Sequence, residues 1–207
     1  MVKIVLLYYG YVWRFYMTKK YSVPDRNNLH NYMLDTSAYN HIVESDEKIK
    51  TVQKSVAYGF RYYSTALQDN ELSGKGAKTY NDDCISVTDY IVPPEFKQKI
   101  DMLDRELNIQ LVPEIACCMR DHSRLDGTLR FLSSESLSGQ IYKKIISQKA
   151  NVKRPFEYYY DAMIAEAAVN YGCILVSDDG KHRDTVNSLC PNGAITTDEL
   201  LAIINAY

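Results

Sequence analysis

The sequence lacks the cysteine patterns that hold small secreted domains or zinc-dependent domains together. Its five cysteines are an odd number, they form no C-x-x-C pair, and none has a histidine at zinc-finger spacing. Cys117 and Cys173 lie in apolar runs, which is typical of small buried side chains. We therefore expect neither disulfides nor structural zinc, and a reducing cytoplasm is the compartment that fits best.

Long apolar runs, net positive charge and a glycine-rich phosphate loop are missing as well. The uncharged run at 4–13 is about half of the ~20 residues that span a bilayer, and no small-residue cleavage site follows it, so we expect no membrane segment. Because the net charge is −2, a nucleic-acid partner would need a local basic face. The missing Walker-type loop disfavours an ATPase.

What the sequence does contain, from residue 32 onward, is an alternation of short apolar runs and longer helical patterns. This alternation predicts an α/β fold with a mostly parallel central sheet flanked by helices. For a chain of 207 residues, one such domain is the reasonable expectation. We therefore divide the chain into an N-terminal extension and linker of unassigned role, 1–31, and a single domain, 32–207.

Apolar periodicity and breaker residues predict the individual elements. In chain order they are a strand at 32–35, helices from 38 and over 46–58, a strand entering a helix at 60–67, a helix over 93–107, a strand at 109–113, a largely helical segment at 114–150, an alanine-rich helix over 159–172, a strand at 173–177, and a last strand and helix over 194–207. Gly172 is suited to end the alanine-rich helix. Thr196 and Glu199 have the spacing of a capping box.

Acidic residues stand where several of these elements meet. Asp35 ends the first strand, Asp178 and Asp179 follow the strand at 173–177, Asp161 opens the alanine-rich helix, and Glu71 is expected near the start of the helix after the second apolar run. In a parallel α/β sheet these positions share one edge, where ligands bind. Each acid also has a simpler interpretation as a helix cap, turn or solvated residue, but those interpretations do not predict a shared edge.

Carboxylates gathered within a few ångströms repel one another, so that some take up protons or the group binds a cation. Hard oxygen ligands without histidine or cysteine select Mg²⁺ or Mn²⁺ over zinc or copper. Such ions suit phosphodiester hydrolysis, because they activate a water and neutralise charge on the leaving oxygen. The acids therefore favour a metal-dependent hydrolase.

The chain from about residue 32 to 205 resembles the PIN domain, the metal-dependent nuclease fold of many prokaryotic toxin ribonucleases. The stretch "MLDTSAYN" matches the family's opening motif with Asp35, "YYSTALQDNEL" matches its second with Glu71, "DAMIAEAA" its third with Asp161, and "LVSDD" its fourth with Asp179. The resemblance implies a PIN-like three-layer fold and a Mg²⁺- or Mn²⁺-dependent endoribonuclease. It also implies an RNA substrate, with an antitoxin protein and a homodimer as further candidate partners.

The resemblance also assigns roles to individual residues. Asp35, Asp161 and Asp179 would bind the metal directly, and Glu71 would bind it or its water. Supporting positions, which would hydrogen-bond or assist these acids, are Ser37, Ser177 and Asp178. The N-terminal 30 or so residues have no counterpart in the family, and the stretch at 78–94 is expected to be an insertion.

Basic side chains are concentrated at 120–154, where eight lysines and arginines stand against three acids. Such a face could guide RNA phosphates to the site, and Arg120, Arg124 and Arg130 are the candidate contacts; a solvated helical face is the alternative. Other functions also stay open: a PIN-like module that binds RNA or protein without cutting, and an RNA-processing nuclease outside toxin–antitoxin systems. A phosphate-accepting receiver domain is disfavoured, because "MLDTS" carries a single acid.

Overall fold

The structure is a computed structural model that describes residues 20–74, 77–81, 84–88, 92–113, 115–116, 129–130, 133–149 and 159–207. The strands are β1 (Asn31–Leu34), β2 (Arg61–Ser64), β3 (Ala77–Asn81), β4 (Cys84–Thr88), β5 (Gln110–Leu111), β6 (Ile115–Ala116), β7 (Leu129–Arg130), β8 (Ile174–Val176) and β9 (Ala194–Ile195). The helices are α1 (Thr36–Val43), α2 (Asp46–Ser55), α3 (Ala66–Leu72), α4 (Pro94–Leu107), α5 (Leu137–Lys149), α6 (Tyr159–Tyr171), α7 (Gly180–Leu189) and α8 (Thr197–Asn205).

Five parallel strands form the central sheet, in the order β5-β2-β1-β8-β9. Two small pairs lie outside it: β3 with β4, which is antiparallel, and β6 with β7, which is parallel. The predicted α/β fold with a mostly parallel central sheet is therefore confirmed. The antiparallel β3–β4 pair overlaps the stretch at 78–94 that we expected to be an insertion.

Helices cover both faces of the sheet, so β1 is buried along its whole length. Alternate side chains of this strand enter different cores, because successive residues of a strand point to opposite faces. Leu34 packs in a core with residues of α1, α2, α4 and α8. Met33 packs in a second core with residues of α5, α6 and α7. An all-parallel sheet requires this cover on both sides, and the result is three layers.

The order of the strands places a crevice at the centre of the sheet. From β1 the chain builds outward to β2 and β5 on one side, and it later returns to build β8 and β9 on the other side. The strand order therefore reverses between β1 and β8. Beyond the carboxyl ends of the strands at such a reversal, α/β sheets form their ligand-binding crevices.

Several predicted boundaries are confirmed by the local geometry. Gly172 has a φ of 68° and ends α6, since glycine adopts this left-handed conformation without a steric cost. Thr196 and Glu199 form the capping box of α8. Cys173 is buried, as expected, and Cys117 lies outside the described residues.

Other expectations require correction. Residues 114–150 were expected to be largely helical. Among the described residues of this range α5 is helical, but the strands β6 and β7, which were not expected, pair with each other before α5 begins. Two-residue strands leave no periodic signal in the sequence, and their pairing depends on contacts between residues that are distant in the chain. The first helix begins at Thr36 rather than near residue 38, and α2 ends at Ser55 before a short 3₁₀ turn.

The segment before β1 lies against the edge of the sheet. Tyr21 forms a parallel bridge with Leu111, and the backbone N–H of Ser22 donates to the Leu111 carbonyl at 2.8 Å. The Arg26 guanidinium donates to the carbonyl of Asn170 at 2.5 Å. Residues 1–19 lie outside the described part of the chain. Among the described residues, no helix has the length and apolar character that crossing a bilayer requires.

Candidate active site

The candidate site lies at the crevice between β1 and β8. The backbone N–H of Asp35, directly after β1, donates to the carbonyl of Val176, the last residue of β8, at 2.9 Å. The turn after β8 begins with Ser177, whose backbone N–H donates to the carbonyl of Ile195 in β9 at 3.0 Å. The ends of three neighbouring strands are thereby joined, and the residues that follow β1 and β8 face each other.

Asp35 is a buried carboxylate surrounded by donors. It is only 7% exposed. One of its oxygens accepts from the backbone N–H of Thr36 at 2.7 Å, and the other accepts from the Ser177 hydroxyl at 2.7 Å and from the Ser37 hydroxyl at 3.2 Å. Burial alone would raise the pKa of Asp35, but the His182 imidazole, Ser177 and the Thr36 amide outweigh it and hold the pKa below its usual value. Asp35 is therefore ionised at neutral pH.

Glu71 faces Asp35 from the neighbouring helix. The Thr36 hydroxyl donates to Glu71 Oε2 at 2.6 Å, which links α1 to α3. Burial, and then the charges of Asp35 and Asp161, raise the pKa of Glu71 to about 7, although the bond from Thr36 acts in the opposite direction. Glu71 was expected near the start of its helix, but it is the second-to-last residue of α3. It reaches the crevice because the start of α1 lies beside it.

Asp161 reaches the same region from the first turn of α6. Its backbone carbonyl lies 2.9 Å from Nε2 of His182, and its charge contributes to the raised pKa of Glu71. The start of α6 therefore adjoins both α7 and the acids after β1 and in α3. Asp35, Glu71 and Asp161 come from three separate elements and share one electrostatic environment.

Asp179 is the exposed N-cap of α7. Its Oδ1 accepts from the backbone N–H groups of Lys181 at 2.8 Å and His182 at 3.2 Å. This is the standard arrangement of a helix cap, in which a short acidic side chain satisfies backbone donors of the first turn. Asp179 therefore has a structural role in addition to the metal-binding role that the sequence resemblance implies.

Asp178 points away from the other acids. Its carboxylate accepts from the backbone N–H of Thr197 at 3.0 Å and the Thr197 hydroxyl at 2.8 Å, and it lies 2.8 Å from Nδ1 of His41. Burial would raise the pKa of Asp178, but the two bonds from Thr197 and the contact with His41 hold it below the usual value. Asp178 therefore ties the turn after β8 to α8 and α1.

Three residues of the site were not identified from the sequence. Thr36 stands within the first motif, but its bond to Glu71 depends on the packing of α1 against α3. His182 is 1% exposed and lies beside Asp35 and Asp161. Arg183 donates to the carbonyl of Ser177 at 2.8 Å. The spacing from Asp179 to His182, three residues along a helix, places both on one face and was the available signal.

The donor chemistry of the site fits a hard divalent cation. Apart from the His182 imidazole, whose Nε2 bonds the Asp161 carbonyl, the side chains at the crevice offer carboxylate and hydroxyl oxygens, which are the ligands that Mg²⁺ and Mn²⁺ prefer. Within the described part of the chain, no three acidic, histidine or cysteine side chains converge into one ready-made metal cluster. Mg²⁺ commonly keeps several waters and binds one or two carboxylates directly, so such a cluster is not required for it.

The predicted RNA contacts fall outside what can be described. Arg120 and Arg124 lie outside the described residues, and for Arg130 the structure describes only the backbone, in β7. Within the described chain, Lys181 and Arg183 belong to the first turn of α7, and the Arg183 guanidinium reaches the turn after β8. No protein-family model, curated protein or solved structure matches this chain. The acids and their contacts are therefore the features that indicate function.

Proposed function

We propose that this chain is a PIN-like endoribonuclease that depends on Mg²⁺ or Mn²⁺. The observation that carries the proposal is the meeting of Asp35, Glu71 and Asp161 at the point where the strand order reverses. They come from a strand end and two helices that are far apart in the sequence. Helix capping explains Asp35 and Asp179 individually, but it does not explain why Glu71 and Asp161 share their environment.

The electrostatics of the group favour a bound cation. Burial first, and then the charges of Asp35 and Asp161, raise the pKa of Glu71 to about 7. A divalent cation would offset this repulsion and favour the ionised form of all three. Asp35, Glu71, Asp161 and Asp179 would hold it. When bound, Mg²⁺ or Mn²⁺ supplies an activated water and neutralises charge on the phosphodiester.

The chain's own groups orient these acids. Ser177 and Ser37 donate to the same oxygen of Asp35, and the Thr36 amide donates to the other, so this carboxylate is held in place. The Thr36 hydroxyl does the same for Glu71 Oε2. Without a metal, the pKa of Glu71 is about 7, so this carboxyl is partly protonated near neutral pH. Hydrogen bonds of this kind keep charged groups in the geometry that a reaction needs.

The RNA substrate is proposed from the sequence resemblance and from the charge beside the acids. Lys181 and Arg183, at the start of α7, offer positive charge directly after Asp179, where a phosphate backbone would approach. A toxin of a toxin–antitoxin pair, restrained by an antitoxin protein, is the role that we propose on the same resemblance. On the same resemblance we propose that the chain forms a homodimer. The alternative to the toxin role is an RNA-processing nuclease.

A PIN-like module that binds RNA or protein without cutting is the second candidate. The observation that favours it is the capping role of Asp179, whose Oδ1 is already engaged by two backbone amides. A residue that serves only as a cap would not contribute to catalysis. The two candidates differ in whether a divalent metal leads to cleavage.

The test is metal-dependent cleavage of a mixed RNA pool by the purified full chain. We expect cleavage with Mg²⁺ or Mn²⁺ and none with a chelator. In Asp35→Asn and Asp161→Asn we expect the cleavage rate to fall by about 100-fold or more, because each substitution removes a negative charge that would hold the metal ion. Asp198→Asn is the matched control, since Asp198 is an exposed acid on α8 and its loss should leave cleavage unchanged.

Two results would contradict the proposed nuclease activity. The first is no cleavage with any metal, together with no Mn²⁺ binding by titration calorimetry. The second is cleavage that survives both Asp35→Asn and Asp161→Asn, because the acids would then not form the site. Mn²⁺ and RNA binding without cleavage would favour the binding module.

A further inference from the structure

One histidine contacts three of the four candidate acids. His182 lies in α7 and is 1% exposed. Its backbone N–H donates to Asp179 Oδ1 at 3.2 Å, its Nε2 lies 2.9 Å from the carbonyl oxygen of Asp161, and its Nδ1 lies 3.6 Å from Asp35 Oδ2. The three acids belong to the starts of α7 and α6 and to the end of β1.

The chemistry of the partners fixes the orientation of the ring. A carbonyl oxygen only accepts hydrogen bonds, so Nε2 of His182 carries a hydrogen and donates it to Asp161. That bond turns Nδ1 toward the Asp35 carboxylate. The distance of 3.6 Å from Nδ1 to Asp35 Oδ2 is too long for a direct hydrogen bond, so the contact places the ring beside the carboxylate. It is one cause of the lowered pKa of Asp35.

Burial of a polar ring at this position has a cost that an apolar residue would avoid. Val186, one turn further along α7, is also fully buried and packs in the core against α5 and α6. A phenylalanine at 182 could fill a similar volume without requiring polar partners, whereas a buried imidazole is stable only when its nitrogens find partners. The Nε2 of His182 bonds the carbonyl of Asp161, its Nδ1 lies beside Asp35, and its backbone N–H bonds Asp179, so these contacts all reach candidate acids.

We propose that His182 is a positioning residue, which sets the spacing of Asp35, Asp161 and Asp179 for a divalent cation. This inference rests on the proposed function. The ring ties the start of α6 to the end of β1 across the crevice, and its backbone holds the Asp179 carboxylate at the start of α7. Substitution of the partners that orient metal-binding side chains typically weakens metal binding by about 10- to 100-fold.

The test compares Mn²⁺ affinity, measured by titration calorimetry on the full chain, with the thermal midpoint of unfolding. His182→Phe keeps the volume and removes both ring contacts, so we expect the Mn²⁺ dissociation constant to rise by about 10- to 100-fold. His182→Gln can still offer an amide N–H to the Asp161 carbonyl and should recover part of that loss. Val186→Ala is the control, because it weakens the packing of the same helix without removing a contact to an acid.

The pattern across the variants separates positioning from simple destabilisation. If His182 is a positioning residue, Val186→Ala should lower the unfolding midpoint and leave the Mn²⁺ dissociation constant within about twofold of the wild type. His182→Phe should raise the Mn²⁺ dissociation constant. If His182→Phe is folded and binds Mn²⁺ as tightly as the wild type, positioning by His182 is wrong and the proposed function stands. If the wild-type chain binds no Mn²⁺, the proposed function itself is wrong.

A second pair of variants decides the question if His182→Phe does not fold. Asparagine at 182 is too short to reach the Asp161 carbonyl, whereas glutamine is not. We expect His182→Asn to bind Mn²⁺ more weakly than His182→Gln. Wild-type affinity in both would overturn the inference.

Discussion

The two ends of the same parallel strands have opposite chemistry. At the carboxyl ends of β1 and β8, the chain places Asp35, Ser177 and Asp179. At the amino ends of β1 and β2, it places His30 and Phe60, whose rings stack with centroids 4.6 Å apart. One edge concentrates charge and hydroxyl groups in a crevice, and the other is closed by aromatic rings.

The aromatic edge joins distant parts of the chain through ring contacts. Tyr207 packs edge-on against Phe60 at 5.4 Å and against His30 at 5.5 Å, and its hydroxyl lies 3.0 Å from Nε2 of His30. Phe60 also stacks on Tyr32 of β1 at 5.5 Å. These contacts bury apolar surface, which stabilises the fold without creating a site.

The difference shows where the molecule carries unfavourable interactions. Burial, and then the neighbouring acids of the carboxyl edge, raise the pKa of Glu71, so its charged form is disfavoured in a way that a fold selected for stability alone would avoid. Such local conflicts are expected at functional sites and are compensated elsewhere. We therefore expect substitutions at the aromatic edge to change stability, and substitutions at the carboxyl edge to change metal binding and activity.

The largest stability effect should come from Phe60→Ala at the aromatic edge. Phe60 is fully buried and contacts His30, Tyr32 and Tyr207, so its truncation should lower the free energy of unfolding by about 3–5 kcal/mol. Denaturant unfolding measures this loss. Cleavage per folded molecule should remain near the wild-type value, and a selective loss of activity in the folded fraction would break the comparison between the two edges.

The next effect is a pH dependence caused by Glu71. The pKa of this carboxyl is about 7 in the folded chain against an ordinary value of 4.5. The folded state therefore binds the extra proton between these two pH values, and stability should fall as the pH rises through this window, by at most about 3 kcal/mol. Glu71→Gln should remove this slope in unfolding measured from pH 4 to 8 without divalent metal.

The control for that measurement is Glu95→Gln, which changes an exposed acid at the start of α4. It should keep the wild-type slope. If the stability of the wild-type chain instead rises with pH over the same window, a raised pKa of Glu71 does not control it. A rise in stability with pH is the effect of a carboxyl whose pKa is lowered in the folded state.

The smallest effect is expected for Tyr207→Ala. Tyr207 is 60% exposed, so it contributes mainly through its contacts with His30 and Phe60. Loss of these aromatic contacts should lower the free energy of unfolding by about 0.5–1.5 kcal/mol. Tyr207→Phe keeps the ring and removes the hydroxyl contact with His30, so it should lose less than Tyr207→Ala. Equal losses would assign the contribution to the hydroxyl group.

Most of the local structure could be predicted from residue patterns. The strand before Asp35, the strand at 173–177 with its following acids, the alanine-rich helix and the capping box at Thr196 are all present. These elements carry strong local signals, namely apolar runs, helix stops and caps. In the segment at 114–150 the helix α5 is present, but the strands β6 and β7 were not predicted, because their pairing depends on contacts that leave no local pattern.

The sequence by itself determined that acids would follow β1 and β8 and open α6, because strand ends and helix starts are encoded locally. It also determined the α/β class, through the alternation of apolar runs and helical periods. Only the tertiary structure decided that Asp178 turns away to bind Thr197 while His182, from the first turn of α7, contacts three acids. Side-chain direction depends on which elements pack together, and that packing involves residues more than 100 positions apart, as Asp35 and His182 are.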